Sequence, residues 1–272
     1  MCRHVAYLGP GVSLRSLLID PPYGLYRQAW APRMQRHGTV NADGFGIGWY
    51  AAGDPVPARY RRAVPIWADA SLPDVARVTR SAAVLAAVRD ATAGTALGEA
   101  AAAPFASGSW LFSHNGMLAG WPASATALGG ADPEALLSLE ALTDSAFLWL
   151  LVLKRLQAGA PADIALAATI GAVEAAGGAG RFNFLLTDGR SITAATDGEA
   201  LWYRQTAAPG GAVTVASEPC DDEPGWTEVP DRQVLTAVPS RVTVRPLGSL
   251  TSGSLTAGSL TSGSLTEGTG IR

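Results

Sequence analysis

The residue that carries most chemistry in this sequence is Cys2, which directly follows the initiator methionine. Methionine is normally removed ahead of a small residue, and its removal leaves Cys2 with a thiol and a free α-amine. That amine has a pKa near ~7.7–8, so it is partly neutral at pH 7 and can act as base toward the thiol beside it. One residue then supplies both nucleophile and base. Read alone, the same cysteine is also an ordinary second residue. Ser113-His114-Asn115-Gly116 is the next group. An Asn side-chain N–H and the N–H of a following Gly can converge on a developing oxyanion, although Asn-Gly is equally a common hairpin dipeptide. Arg89-Asp90-Ala91-Thr92 offers a guanidinium that can hold a carboxylate through two parallel bonds; its bland counterpart is a surface ion pair. Asp144 can bind an ammonium group or can simply favour the positive end of a helix. Along Asn41-Ala42-Asp43-Gly44-Phe45-Gly46-Ile47-Gly48, glycine recurs at every second place from Gly44, which allows something to pack closely on one strand face.

The elements that must position these groups follow from periodicity. Phe45 to Tyr50, Ala82 to Val88 and Trp110 to Ser113 read as short strands. Arg89 and the Ser113–Gly116 group then fall at strand ends. Phe182 to Leu186, Ser191 to Thr196, Leu201 to Arg204 and Val213 to Ala216 form a second run of strands, with hairpin dipeptides at Asp188-Gly189 and Asp197-Gly198. Helices lie between the two groups. Asp144 to Gln157 has Thr143 as N-cap and Lys154 and Arg155 in its last turn. Its apolar run leaves no polar face, which predicts burial nearly all round. A second, alanine-rich helix covers Ala162 to Ala176. Strands, then helices, then strands imply an α+β fold.

Composition narrows the functional classes. The chain has 272 residues, 48% hydrophobic and 16% charged, which excludes disorder over most of its length. Its formal charge is −3, with Lys154 the one lysine, so no basic surface for nucleic acid is expected. The apolar run Phe147 to Leu153 is too short to span a bilayer, and no membrane role is expected. The N-terminus lacks the apolar region of a signal peptide, which points to the cytoplasm. Cys2, Cys220 and the histidines His4, His37 and His114 show no metal-ligand spacing, so neither metal nor cofactor is expected. Acidic neighbours should raise the Cys220 pKa and dull it as a nucleophile, which marks it as structural or incidental. From Gly248 the chain repeats Gly-Ser-Leu-Thr plus one variable residue, a low-complexity tail over residues 248–272 that follows a folded domain over 1–247.

Together, an N-terminal thiol, a carboxylate clamp, an ammonium clamp and an Asn-Gly oxyanion site are what hydrolysis of a γ-glutamyl amide needs. The combination resembles the class II glutamine amidotransferases, a family of N-terminal nucleophile hydrolases. The resemblance implies a four-layer αββα sandwich. It implies Cys2 as nucleophile, Asn115 and Gly116 as oxyanion donors, Arg89 and Thr92 at the substrate α-carboxylate, and Asp144 at the α-amine. The clamp here reads Arg-Asp-Ala-Thr rather than the Arg-Trp-Ala-Thr of the large amidotransferases. A narrower resemblance runs through Met1-Cys2-Arg3-His4-Val5-Ala6, Asp20-Pro21-Pro22, Ala31-Pro32-Arg33, His37-Gly38, Asp69-Ala70-Ser71, Asp144-Ser145-Ala146 and Ala216-Ser217-Glu218-Pro219, and on to Trp226. It is to the subfamily that hydrolyses γ-glutamyl hercynylcysteine sulfoxide in ergothioneine biosynthesis. The hercynine trimethylammonium would suit an aromatic face, for which Trp30, Trp67, Trp110, Trp121 and Trp226 are candidates, with Trp149 and Trp202 as core. Two alternatives stand beside this: a glutaminase subunit feeding ammonia to a separate synthetase, and an inactive binding module of the same fold. The partner expected is a small γ-glutamyl substrate, and a homodimer is admitted.

The Cys2 reading predicts that the purified protein has a mass lower than its full translation by one methionine residue. Intact-mass spectrometry checks this, and a retained Met1 would remove the free α-amine on which the reading depends.

Overall fold

The computed structural model describes residues 2–91, 95–128, 133–207 and 210–251. The chain opens with β1 (Arg3–Ser13), then short helices α1 (Leu14–Leu18) and α2 (Leu25–Gln28). Next come β2 (Phe45–Trp49), β3 (Ala58–Arg62), α3 (Leu72–Val78), β4 (Arg80–Val88), β5 (Phe105–Ser107) and β6 (Trp110–Leu118). Helices α4 (Ala123–Ala127), α5 (Pro133–Leu137), α6 (Asp144–Gln157) and α7 (Ala162–Ala175) fill the middle. The rest is β7 (Gly180–Thr187), β8 (Ile192–Ala195), β9 (Leu201–Thr206), β10 (Ala212–Ala216), β11 (Thr227–Val229), β12 (Gln233–Val238), β13 (Arg241–Pro246) and α8 (Leu247–Thr251).

The strands form a seven-stranded sheet, ordered β11-β9-β10-β1-β4-β2-β3, and a six-stranded sheet, ordered β13-β12-β8-β7-β6-β5. Every pairing is antiparallel. Period-2 alternation gives each central strand two buried faces. On β1, Ala6 and Leu8 join Leu85, Leu111, Leu185 and Leu235 between the sheets. Val5 and Tyr7 face the other way and pack with Leu14, Leu18, Leu25 and Leu72 of the first helices. Helices α6 and α7 cover the outer face of the second sheet through Phe147, Leu148, Leu166 and Ile170 against Phe112 and Phe184. The layers are therefore helix, sheet, sheet, helix, the αββα sandwich.

Helix α6 occupies Asp144–Gln157, and the Thr143 hydroxyl accepts from the Ala146 N–H at 3.1 Å, a cap worth about 1 kcal/mol. Ala146 through Val152 are buried, and only the last turns reach the surface. The glycine alternation on β2 is also explained. A Cβ at Gly46 would collide with the Ala103 carbonyl oxygen, and one at Gly48 would lie 2.6 Å from Leu111 Cδ1 and 3.0 Å from Pro104 Cγ. What packs on the glycine face is the Ala103–Pro104 segment and the facing sheet.

Two expectations are corrected. Ser113–Gly116 is not at a strand end, because β6 continues to Leu118. Asn115 pairs with Asn183 and Gly116 with Phe182 in the β6–β7 ladder, so Asn-Gly is no hairpin turn here. Asp197-Gly198 is not a hairpin either, since β8 and β9 belong to different sheets and the dipeptide lies on the crossing between them. Asp188-Gly189 does join the paired strands β7 and β8. The repeat beginning at Gly248 starts inside the fold, with Leu247 and Leu250 buried against the α6–α7 core. Residues 252–272 of the tail lie outside the described residues.

Gly46→Ala is expected to cost about 2 kcal/mol through overpacking. Gly11→Ala, whose Cβ would meet nothing within 4 Å, is expected to stay within about 0.5 kcal/mol of wild type. Chemical denaturation of both variants checks the contrast.

Candidate active site

The register of the first sheet builds one wall of the site. Arg3 pairs with Val88, so the next step along both strands sets Cys2 beside Arg89. Phe45 also pairs with Val88, which brings Gly44 to the same place. The Arg89 backbone is pinned there: its N–H donates to the Gly44 carbonyl at 2.8 Å, and its carbonyl accepts from the Asp43 N–H at 2.9 Å. The Arg89 side chain is buried. Its Nη2 donates to Thr95 Oγ1 at 3.0 Å and to the Ala96 carbonyl at 2.8 Å. Its Nη1 has no hydrogen-bond partner among the described residues, so one edge of the guanidinium is held and the other is available.

The second wall comes from β6 and the start of α6. Asp144 is buried; its Oδ2 accepts from the Leu118 N–H at 2.9 Å and its Oδ1 from the Ser145 N–H at 2.8 Å. His114 stacks on Phe182 and meets Phe184 edge-on. Its Nε2 lies 3.0 Å from the Arg181 carbonyl and its Nδ1 3.0 Å from Ser145 Oγ. Gly116 has φ +154, and a Cβ there would strike the Arg181 carbonyl oxygen and lie 2.7 Å from His114 Nε2. Only glycine fits this crossing.

Cys2, Arg89, Gly116 and Asp144 line one cavity, together with Thr95, His114, Thr143 and Ser145. Asn115 is not among its lining residues. Period 2 turns its side chain into the space between the sheets, where Nδ2 points to Ser217 Oγ at 3.4 Å. Thr92 lies outside the described residues. Among the described residues, no tryptophan lines the cavity. Trp226 carries the Arg204 guanidinium over its ring and donates to Asp221. Trp121 packs on Phe147, Trp110 packs against the helical core, and Trp30 carries Arg27. Trp67 is 39% exposed, edge-on to Trp30.

Several residues with no role assigned from the sequence pack beside Asn115. His4, Ser113, Asn183 and Ser217 are all buried and, with Asn115, turn one end of the inter-sheet core polar. Ser217 Oγ accepts from the His4 N–H at 3.0 Å, and His4 Nδ1 lies 3.1 Å from Ser113 Oγ. The signal that would have found them is the alternation of β1, which puts His4 on the same face as Cys2. Burial, aided by nearby His114 and Arg3, lowers the His4 pKa to about 3. Burial likewise lowers that of His114, against the pull of Asp144. The Cys2 thiol is pushed up by burial, opposed by the N-terminal charge, the Asp90 backbone and Arg89. Cys220, far less available, is raised to about 12 by burial and by Asp221.

A family model described as class II glutamine amidotransferases matches residues 26–235. The chain belongs to the class II glutamine amidotransferases. It is 42% identical over 247 residues to the γ-glutamyl-hercynylcysteine sulfoxide hydrolase of Mycolicibacterium smegmatis, covering 91% of this chain and 100% of that protein. It is 40% identical over 247 residues to the Mycobacterium tuberculosis protein of the same name, covering 91% and 97%. A class II glutamine aminotransferase domain protein from Silicibacter pomeroyi shares the architecture, with a TM-score of 0.63, 25% identity, and coverage of 90% of this chain and 99% of that one. The amidotransferase sandwich expected for the family is the architecture observed. Among the described residues, no helix is long and apolar enough to cross a membrane.

The buried histidines set a pH dependence. His4 titrates at 6.5 when unfolded and about 3 when folded, so the unfolded chain takes up the proton first. Its contribution is whole above pH 6.5 and is lost as pH falls toward 3, by at most about 1.4 kcal/mol per pH unit. Urea unfolding across this window should show a shallower fall for His4→Gln than for wild type.

Proposed function

We propose that this amidotransferase-family chain is a stand-alone hydrolase that cleaves the γ-glutamyl amide of γ-glutamyl hercynylcysteine sulfoxide, releasing glutamate and hercynylcysteine sulfoxide. The observation that carries the reading is the convergence of Cys2, the available edge of Arg89 and the Asp144 carboxylate on one cavity. A glutamyl group has an α-carboxylate and an α-ammonium at one end and the reacting carbonyl at the other. Arg89, with Thr92, takes the carboxylate. Asp144 takes the ammonium. The relatives named as hydrolases of this substrate support its identity.

The reaction then follows from the groups. With Met1 removed, the Cys2 α-amine accepts the thiol proton, through a water. A base is needed, because burial raises the thiol pKa. The thiolate attacks the γ-carbonyl carbon, and the C–O π pair moves onto oxygen. Gly116, which lines the cavity, offers its N–H to that oxyanion, and Asn115 Nδ2 joins it by releasing Ser217 Oγ. The protonated α-amine gives its proton to the leaving amine as the C–N bond breaks, which leaves a glutamyl thioester on Cys2. Water, deprotonated by the same α-amine, attacks the thioester, and the thiol is restored as glutamate leaves. This sequence uses no metal and no nucleotide.

Glutamate release from γ-glutamyl hercynylcysteine sulfoxide and, separately, from glutamine tests the proposal. Strong preference for the sulfoxide supports it; turnover of glutamine alone favours ammonia supply to a synthetase. Cys2→Ala should abolish turnover, and Asn115→Ala should lower kcat by about 10²–10³-fold. Full activity in Cys2→Ala would overturn the mechanism.

A further inference from the structure

The hydrogen-bond directions around His114 assign a role to Ser145. The Arg181 carbonyl can only accept, so the His114 Nε2 that lies 3.0 Å from it carries a proton. The ring is buried between Phe182 and Phe184, and burial holds it neutral, so Nδ1 carries none. Ser145 Oγ, 3.0 Å from Nδ1, therefore donates its one hydroxyl proton to His114. That proton is not available to Asp144. The Ser145 Oγ to Asp144 Oδ1 separation of 3.5 Å agrees, being well beyond an ordinary O–H···O bond. Two acceptor oxygens thus stand side by side at the cavity, with no proton between them. Such a pair is matched by a cationic group with several N–H donors, such as a primary ammonium.

We infer that Ser145 Oγ is a second acceptor for the substrate α-ammonium beside Asp144, and that the unprotonated Nδ1 of His114 keeps it one. Ser145 is a binding residue, and His114 is a positioning residue that acts through it. The inference rests on the γ-glutamyl reading above.

Two measurements test it. In the unaltered protein, ¹⁵N NMR of the His114 ring should show a protonated Nε2 and an unprotonated Nδ1; the opposite tautomer or a doubly protonated ring overturns the inference. Ser145→Ala should raise KM for the γ-glutamyl substrate by about 10- to 100-fold with little change in kcat. Ser145→Thr, which keeps a hydroxyl, should recover most of that loss. With the glutaryl counterpart of the substrate, which lacks the α-amine, the Ser145→Ala penalty should shrink below about twofold. Wild-type turnover with an unchanged KM in Ser145→Ala, or an equal penalty on the glutaryl compound, overturns this inference alone. A wild-type protein that turns over no γ-glutamyl amide overturns the parent reading, and this one with it.

Discussion

The proposed nucleophile, Cys2, directly precedes a strand, and that strand holds it in place. Here that strand is β1, hydrogen-bonded on both edges, to β4 and β10, and buried on both faces. The rest of the site can be traced from it. The β1–β4 register sets Arg89 beside Cys2, the Ser217 hydroxyl receives the His4 N–H, and the alternation of β1 turns His4 into the inter-sheet space. A sheet edge could not have done this, since an edge strand is held by one partner and frays most readily at its end.

The second sheet answers with groups whose protons are already assigned. The Arg181 carbonyl is the hub: it accepts from His114 Nε2 and closes the space in which any side chain at position 116 would sit. Gly116 and Asp144 therefore belong to one rigid unit, joined through His114 and Ser145. Preorganisation of this kind is how an enzyme avoids reorganising its dipoles as charge develops on the substrate. The polar end of the inter-sheet core has a cost as well, because a buried histidine that stays neutral opposes folding once the unfolded chain can be protonated.

Legibility varied with how local the deciding physics was. Helix α6 was readable to its ends, because Thr143, Lys154 and Arg155 act within one turn. The glycine alternation on β2 was readable as a close approach, though not what approaches. Strand β1 was not anticipated: Arg3 and His4 are polar residues that only tertiary burial makes interior, and Gly9-Pro10-Gly11 looks like a break. Asn115-Gly116 and Asp197-Gly198 carry turn chemistry in their residue types, yet one lies within a ladder and the other on a crossing between sheets. In both cases long-range pairing outweighed local preference. The residues of the site suggested a γ-glutamyl amide only when taken together; singly, each had a blander explanation. Ser145 and His114 were invisible as contributors, since the direction of a hydroxyl proton is set by partners distant in sequence.

The boundary of low complexity does not coincide with the boundary of the fold. The repeated unit beginning at Gly248 reads as one of a series of equivalents, yet its Leu250 is seated in the same apolar core as Phe147 and Ile170. Any evolutionary lengthening or shortening of the series is constrained at its first member, where a deletion removes a side chain from the interior.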